Sequence, residues 1–206
     1  MGIFRRRKQL PQQPPPDLPY PPPPPTLAPG DLVAARQVVR AFLAGLGDDD
    51  RMCTAGTAVV QAGGGVADLD QLMRNARLIH QTGDLGIDRP WRWLAVVTAE
   101  ARQLGDLALV ADIAHFVHLW DTRLRSRMAS GELTMALQTP PQDAVREIYA
   151  IAVAALAEVD PDHVVADGTG GITVAALRTG IAHRVLDADP PYPAEVSAEA
   201  RRIVPT

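Results

Sequence analysis

From residue 31 to residue 187, apolar residues recur every three or four positions, the spacing of a helix with one buried face. A first helix is expected from Asp31, its N-cap, with Leu32, Val39, Phe42, Leu43 and Leu46 on one stripe. Gly45 and Gly47 end it, and Asp48, Asp49 and Asp50 mark a solvated turn. Residues 51–65 read either as a short helix or as a loop, broken by Gly63-Gly64-Gly65. A second clear helix is expected over 68–81, with Leu69, Leu72, Met73, Ala76 and Ile79 on one face. A third covers 89–104, with Asp88 as cap and Pro90 in the first turn, where its missing N–H costs nothing. Gly105-Asp106 stops that helix and caps the next, which runs over 107–127 and is apolar around nearly half its circumference, the pattern of a central helix. Thr139-Pro140-Pro141-Gln142 has the form of a capping box for a fifth helix carrying Val145, Ile148, Tyr149, Ala152 and Leu156. A sixth is expected over 172–186 and a short terminal one over 197–204.

The expected fold class is therefore all-α, an irregular bundle or stacked helical hairpins of about six helices. The organisation is a disordered basic, proline-rich tail at 1–30, a helical domain at 31–187, and a C-terminal extension at 188–206 with a short helix. The joint at Gly105-Asp106, and the similar Thr82-Gly83-Asp84, resemble the turns of tetratricopeptide hairpins, although the 34-residue pattern of that family does not repeat along the chain. Eleven of the 19 prolines lie between Pro11 and Pro29, where they remove backbone donors and forbid a helix. Such a tract extends as polyproline II at roughly 3.1 Å per residue, which holds the basic end on the order of 60 Å from the body.

Composition sharpens this picture in three ways. Aromatics are only 4% of the chain, so the core has to be built from Ala, Val, Leu and Ile. Charge is divided: Arg5, Arg6, Arg7 and Lys8 against Asp17 leave +3 on residues 1–30, and the chain's net −4 then places −7 on the rest, a poor surface for general nucleic-acid binding. Cys53 is the single cysteine, so no intramolecular disulfide forms and a reducing cytoplasm is the expected location. No secretory signal is legible, and the longest apolar run, Ile148 to Ala157, is half the length of a membrane span.

Candidate chemistry sits in two stretches. The first is VVADGTGGITVAAL at 164–177, read as a short strand at 164–166, a loop from Asp167 through Gly168, Gly170 and Gly171, and a helix opening at Ile172. It locally resembles the cofactor loop of S-adenosylmethionine-dependent methyltransferases, in which an acidic residue and glycines cradle the amino-acid part. That resemblance implies a ribose carboxylate at Asp187 and an amino-methyltransferase DPPY motif at Asp189-Pro190-Pro191-Tyr192. Only 17 residues separate Gly171 from Asp189, room for one helix and one strand, whereas that family requires four strands before its DPPY segment. The alternative is an interhelical loop whose Asp or Thr caps the following helix. The second stretch is DIAHFVHLWD at 112–121, which places Asp112, His115, His118 and Asp121 at successive three-residue steps that turn about −60° each, so the four cannot converge. His115 and His118 can be neighbours and half of a metal site, or His115 can bond Asp112 on a polar helix face. Trp93 and Trp120 fall on apolar stripes; Trp91, beside Arg89 and Arg92, falls elsewhere, as a partly buried flank or an exposed contact. Arg123, Arg125 and Arg127 complement the helix dipole, and Cys53 has no evident base or metal beside it.

The partner-binding candidates are Arg5, Arg6, Arg7 and Lys8, with Pro19, Tyr20 and Pro21 as a pre-extended docking segment. Four cations near an anionic bilayer contribute roughly 4 kcal/mol at most, enough for transient contact only. The reading favoured by the whole chain is a non-enzymatic helical interaction module, an adaptor or accessory subunit with a proline-rich arm and no cofactor. The others are a ligand- or S-adenosylmethionine-binding enzyme using loop 167–171, and a metal-binding bundle centred on His115 and His118.

Overall fold

A computed structural model describes residues 26–66, 86–137 and 139–204. The expected helix at 68–81 and the tail residues Arg5, Arg6, Arg7, Lys8, Pro19, Tyr20 and Pro21 lie outside them. Within the described residues the chain is helical: α1 (Asp31–Ala44), α2 (Asp49–Ala62), α3 (Arg89–Gln103), α4 (Leu107–Leu119), α5 (Arg125–Ala129), α6 (Gln142–Ala155), α7 (Val174–Leu186) and α8 (Ala194–Ile203). Two two-residue strands, β1 (Val164–Val165) and β2 (Ile172–Thr173), pair antiparallel and bracket the glycine loop. None of these helices is long and apolar enough to cross a membrane.

The ambiguous stretch after residue 50 is α2. Asp48 caps it by accepting from the Arg51 N–H at 3.2 Å, so the acidic turn after α1 is also a helix start. The Gly105-Asp106 joint forms as its sequence predicts: Gly105 takes φ +73° and the Asp106 carboxylate accepts from the Leu109 N–H. The capping box at 139–142 does not form. α6 begins at Gln142 behind an extended Pro141 and has no side-chain cap, because two consecutive prolines hold the chain extended up to the first helical residue.

α4 is central and packs against α1, α3, α6 and α7. It continues without a break through a π-helical turn, Trp120–Leu124, into α5. Phe42 of α1 meets Phe116 of α4 edge-on at 4.8 Å between centroids, and Trp91 of α3 stacks on Phe116 at 5.6 Å and meets Trp120 edge-on at 5.2 Å. Trp91 is thus fully buried, neither flank nor surface contact. A helical stripe cannot show this, because Trp91 lies in the first turn of α3, where the helix end itself is inserted among α1 and α4. The alanine-rich faces supply the rest of the core, including Ala35, Ala101, Ala114, Ala152 and Ala182.

α8 packs on α7 and α6. Arg178 ties it down by bonding the Val153 carbonyl at 3.2 Å and Glu199 at 2.6 Å. The Asp189–Tyr192 segment leading to it is held by α6: Arg146 donates to the Pro190 and Pro191 carbonyls at 2.6 and 2.8 Å, and its guanidinium covers the Tyr192 ring at 4.1 Å. The Asp189–Tyr192 segment that the resemblance reads as a DPPY motif is therefore packed against α6, with Arg146 over the Tyr192 ring.

Candidate functional site

The two stretches singled out from sequence meet. His115, on the buried face of α4, bonds through Nε2 to Asp167 Oδ2 at 2.8 Å, although the residues are 52 positions apart. Asp167 Oδ1 accepts three further bonds, from the Thr169 N–H at 2.7 Å, the Thr169 hydroxyl at 2.8 Å and the Gly171 N–H at 2.9 Å. The carboxylate therefore holds the loop around itself while His115 holds the carboxylate. Both side chains are almost entirely buried, at 2% and 4% exposure. A second pin comes from Gly168, whose N–H donates to the Leu43 carbonyl at the C-terminal end of α1 at 2.8 Å. A Cβ on Gly168 would lie 2.2 Å from the Leu46 carbonyl oxygen, so only glycine lets the two backbones approach.

These bonds consume the donors that an anion cradle needs. The Gly168, Thr169 and Gly171 amides face protein oxygens, and the Gly170 N–H reaches the Asp167 carbonyl at 3.3 Å. The helix after the loop starts at Val174 rather than Ile172, because Ile172 and Thr173 pair with β1. The first N–H groups of α7 are also taken: Val174 by the His163 carbonyl, Ala175 by the Pro161 carbonyl and Ala176 by the Thr173 hydroxyl. Asp187 lies beyond the far end of α7, about 20 Å along the helix from the loop at 1.5 Å per residue.

The electrostatics follow the packing. Burial pushes the Asp167 carboxyl upward, but the hydrogen bonds from His115, Thr169 and Gly171 outweigh it and hold the group below its usual value. Burial pushes His115 downward, opposed in part by Asp167. His118 does not share the pair. Its ring lies against Gly180 of α7, where a Cβ would come within 2.8 Å of it, and its Nδ1 is buried with no partner among the described residues. Burial, then the neighbouring His115 and Arg184, lower its pKa to about 4. Asp121 turns to Arg125 and Arg184, at 3.1 and 3.2 Å. Among the described residues no group of three or more His, Cys, Asp or Glu side chains is placed to hold a metal ion. Cys53 donates to the Thr134 carbonyl, and burial and then Asp49 raise its pKa, which keeps it a thiol.

Beside the pinned loop lies a groove of about 520 Å³. α1 contributes Arg40 and Ala44, α4 contributes Ala108, Ala111 and Asp112, and residues 163–168 close the third side. Asp112 is not the partner of His115; its Oδ2 accepts from Arg40 Nε at 2.8 Å. Arg40 was not legible as a site residue, since its only signal in sequence is a cation on the polar face of α1. No protein-family model matches the chain, and comparison with curated proteins and with solved structures finds no match.

Proposed function

We propose that the chain is a non-enzymatic helical recognition module that seats a segment of a partner protein in the groove between α1, α4 and the 163–168 loop. The basic, proline-rich arm at 1–30 is its second attachment. The observation that carries this reading is the construction of the groove wall. The loop that forms it is fixed by the His115–Asp167 pair and by the Gly168–Leu43 bond, so the groove is shaped before anything enters it. The same pair argues against chemistry by His115. One ring nitrogen is committed to Asp167 and the other is buried, so the imidazole has no access to a substrate proton.

Ala44 and Ala108 line the groove and are exposed, so each accepts a larger side chain without disturbing the core. Partners recovered from native extract on the intact chain are expected to be lost with Ala44→Trp and Ala108→Trp, with thermal unfolding unchanged. Replacing Arg5, Arg6, Arg7 and Lys8 by Gln in the full chain is expected to weaken recovery in a salt-dependent way. Unchanged recovery with both tryptophan variants removes the groove from the function.

A further inference from the structure

The polar side of the groove is a matched pair with unused capacity. Arg40 Nε is tied to Asp112 Oδ2, which fixes the plane of the guanidinium. Its two Nη groups have no partner among the described residues, and the side chain is 54% exposed. Asp112 is only 8% exposed, yet its Oδ1 also lacks a protein partner among the described residues and the residue lines the groove. That oxygen is not sealed from solvent: it is open to the groove, the space onto which the unused edge of Arg40 also faces. The helix side of the remaining lining is small and apolar, with Ala44, Ala108 and Ala111, whereas the loop adds His163 and Asp167, whose carboxylate is already occupied by His115, Thr169 and Gly171.

A ligand that satisfies both groups carries an acceptor pair for a planar fork and, a short distance away, an N–H donor. A carboxylate matches Arg40 with two parallel bonds. A phosphate dianion would bring a second negative charge up to Asp112, and a neutral ligand would leave the Nη groups unused. The volume suits a ligand of a few residues or fewer, and an aliphatic side chain fits the alanine-lined wall. The groove is open at its β1 side, where Val164 is 47% exposed, so a chain can leave it.

We infer that the groove captures the carboxyl-terminal residue of a partner polypeptide, its carboxylate on Arg40, its last backbone N–H on Asp112 and a small aliphatic side chain against Ala44, Ala108 and Ala111. This rests on the recognition reading above and names what the groove recognises. The mode is terminal-carboxylate capture, in which the charge gives register and the apolar wall gives selectivity.

The test uses the full 206-residue chain, ¹⁵N-labelled, titrated separately with N-acetyl-valine, N-acetyl-valinamide, free valine and inorganic phosphate. N-acetyl-valine is expected to move the Ala108, Ala111 and Gly168 amide signals and to saturate in the millimolar range. The amide should bind at least about tenfold more weakly, for want of the charge-assisted pair. Arg40→Gln, which keeps an amide donor beside Asp112, should bring the acid down to the level of the amide; Arg40→Lys should fall between. Equal binding of acid and amide, or tighter groove binding of valine or phosphate, overturns terminal-carboxylate capture and leaves a groove that recognises something else. If none of the four probes moves a groove signal while Ala44→Trp and Ala108→Trp still abolish partner recovery, this inference fails and the recognition reading stands. If the tryptophan variants also have no effect, both fail.

Discussion

His115 and His118 are one helical turn apart on α4, and the fold treats them in opposite ways. His115 is buried with a carboxylate partner and serves as the anchor of a loop. His118 is half-buried, its ring against a bare glycine backbone, and serves as a spacer between α4 and α7. The same side chain therefore acts through a hydrogen bond at one position and through its shape at the next. The difference lies in what α7 and the loop before it deliver: Asp167, a carboxylate that accepts from His115 and from its own loop, and Gly180 with no side chain at all.

Breaking the first arrangement has the largest expected effect. Asp167→Ala leaves a buried His115 nitrogen and the Thr169 and Gly171 donors unmatched, a loss of about 3–4 kcal/mol in denaturant unfolding. Asp167→Asn keeps acceptor capacity toward the loop and should recover part of it. Breaking the second arrangement costs less. Gly180→Ala forces a methyl against the His118 ring and is expected to cost about 1–3 kcal/mol. The double variant with His118→Ala should restore much of that, because the space is shared; strict additivity in the double-mutant cycle would show that the two side chains do not touch.

The third effect is a pH dependence that the two histidines share. A histidine whose folded pKa lies below its unfolded value of about 6.5 adds its full share of stability above that value, where both states are neutral. For His118, at about 4 in the fold, the unfolded chain takes up a proton first, so stability falls as pH drops from about 6.5 to 4. The expected loss is about 2 kcal/mol, discounted for partial exposure of the ring. His115 is shifted in the same direction and adds to the slope. Asp167, whose folded pKa is lowered from 3.8, contributes stability that is lost only at lower pH. Replacing His118 with Gln should flatten the unfolding profile in the upper window and leave the lower one intact; an unchanged profile would mean that His118 is not the group titrating.

Much of the fold was legible because burial is periodic. The stripes on α1, α3, α4 and α6 identify helices and buried faces with little help from tertiary context, and Gly105-Asp106 carries its own turn and cap. The site was legible only in halves. Asp167 with its glycines and His115 with Asp112 each stood out, but nothing in local spacing says that residues 115 and 167 meet, or that Asp112 belongs to Arg40. A helical projection also treats all turns alike, and so misplaced Trp91, whose burial comes from the docking of a helix end. The capping box was misread for a related reason: the motif was present, but the two prolines after Thr139 override it.

The π turn at Trp120–Leu124 has a geometric consequence for the long central rod. It holds one residue more than an α turn, so side chains after it are rotated by about 100° from where an unbroken helix would put them. Before the offset, the rod presents Asp112 and His115 to the groove and its loop; after it, Arg127 reaches Asp49 at the start of α2 with paired contacts of 2.7 and 3.1 Å. A single extra backbone step thus gives one continuous element two azimuths, one that meets α1 and the glycine loop and one that meets the start of α2.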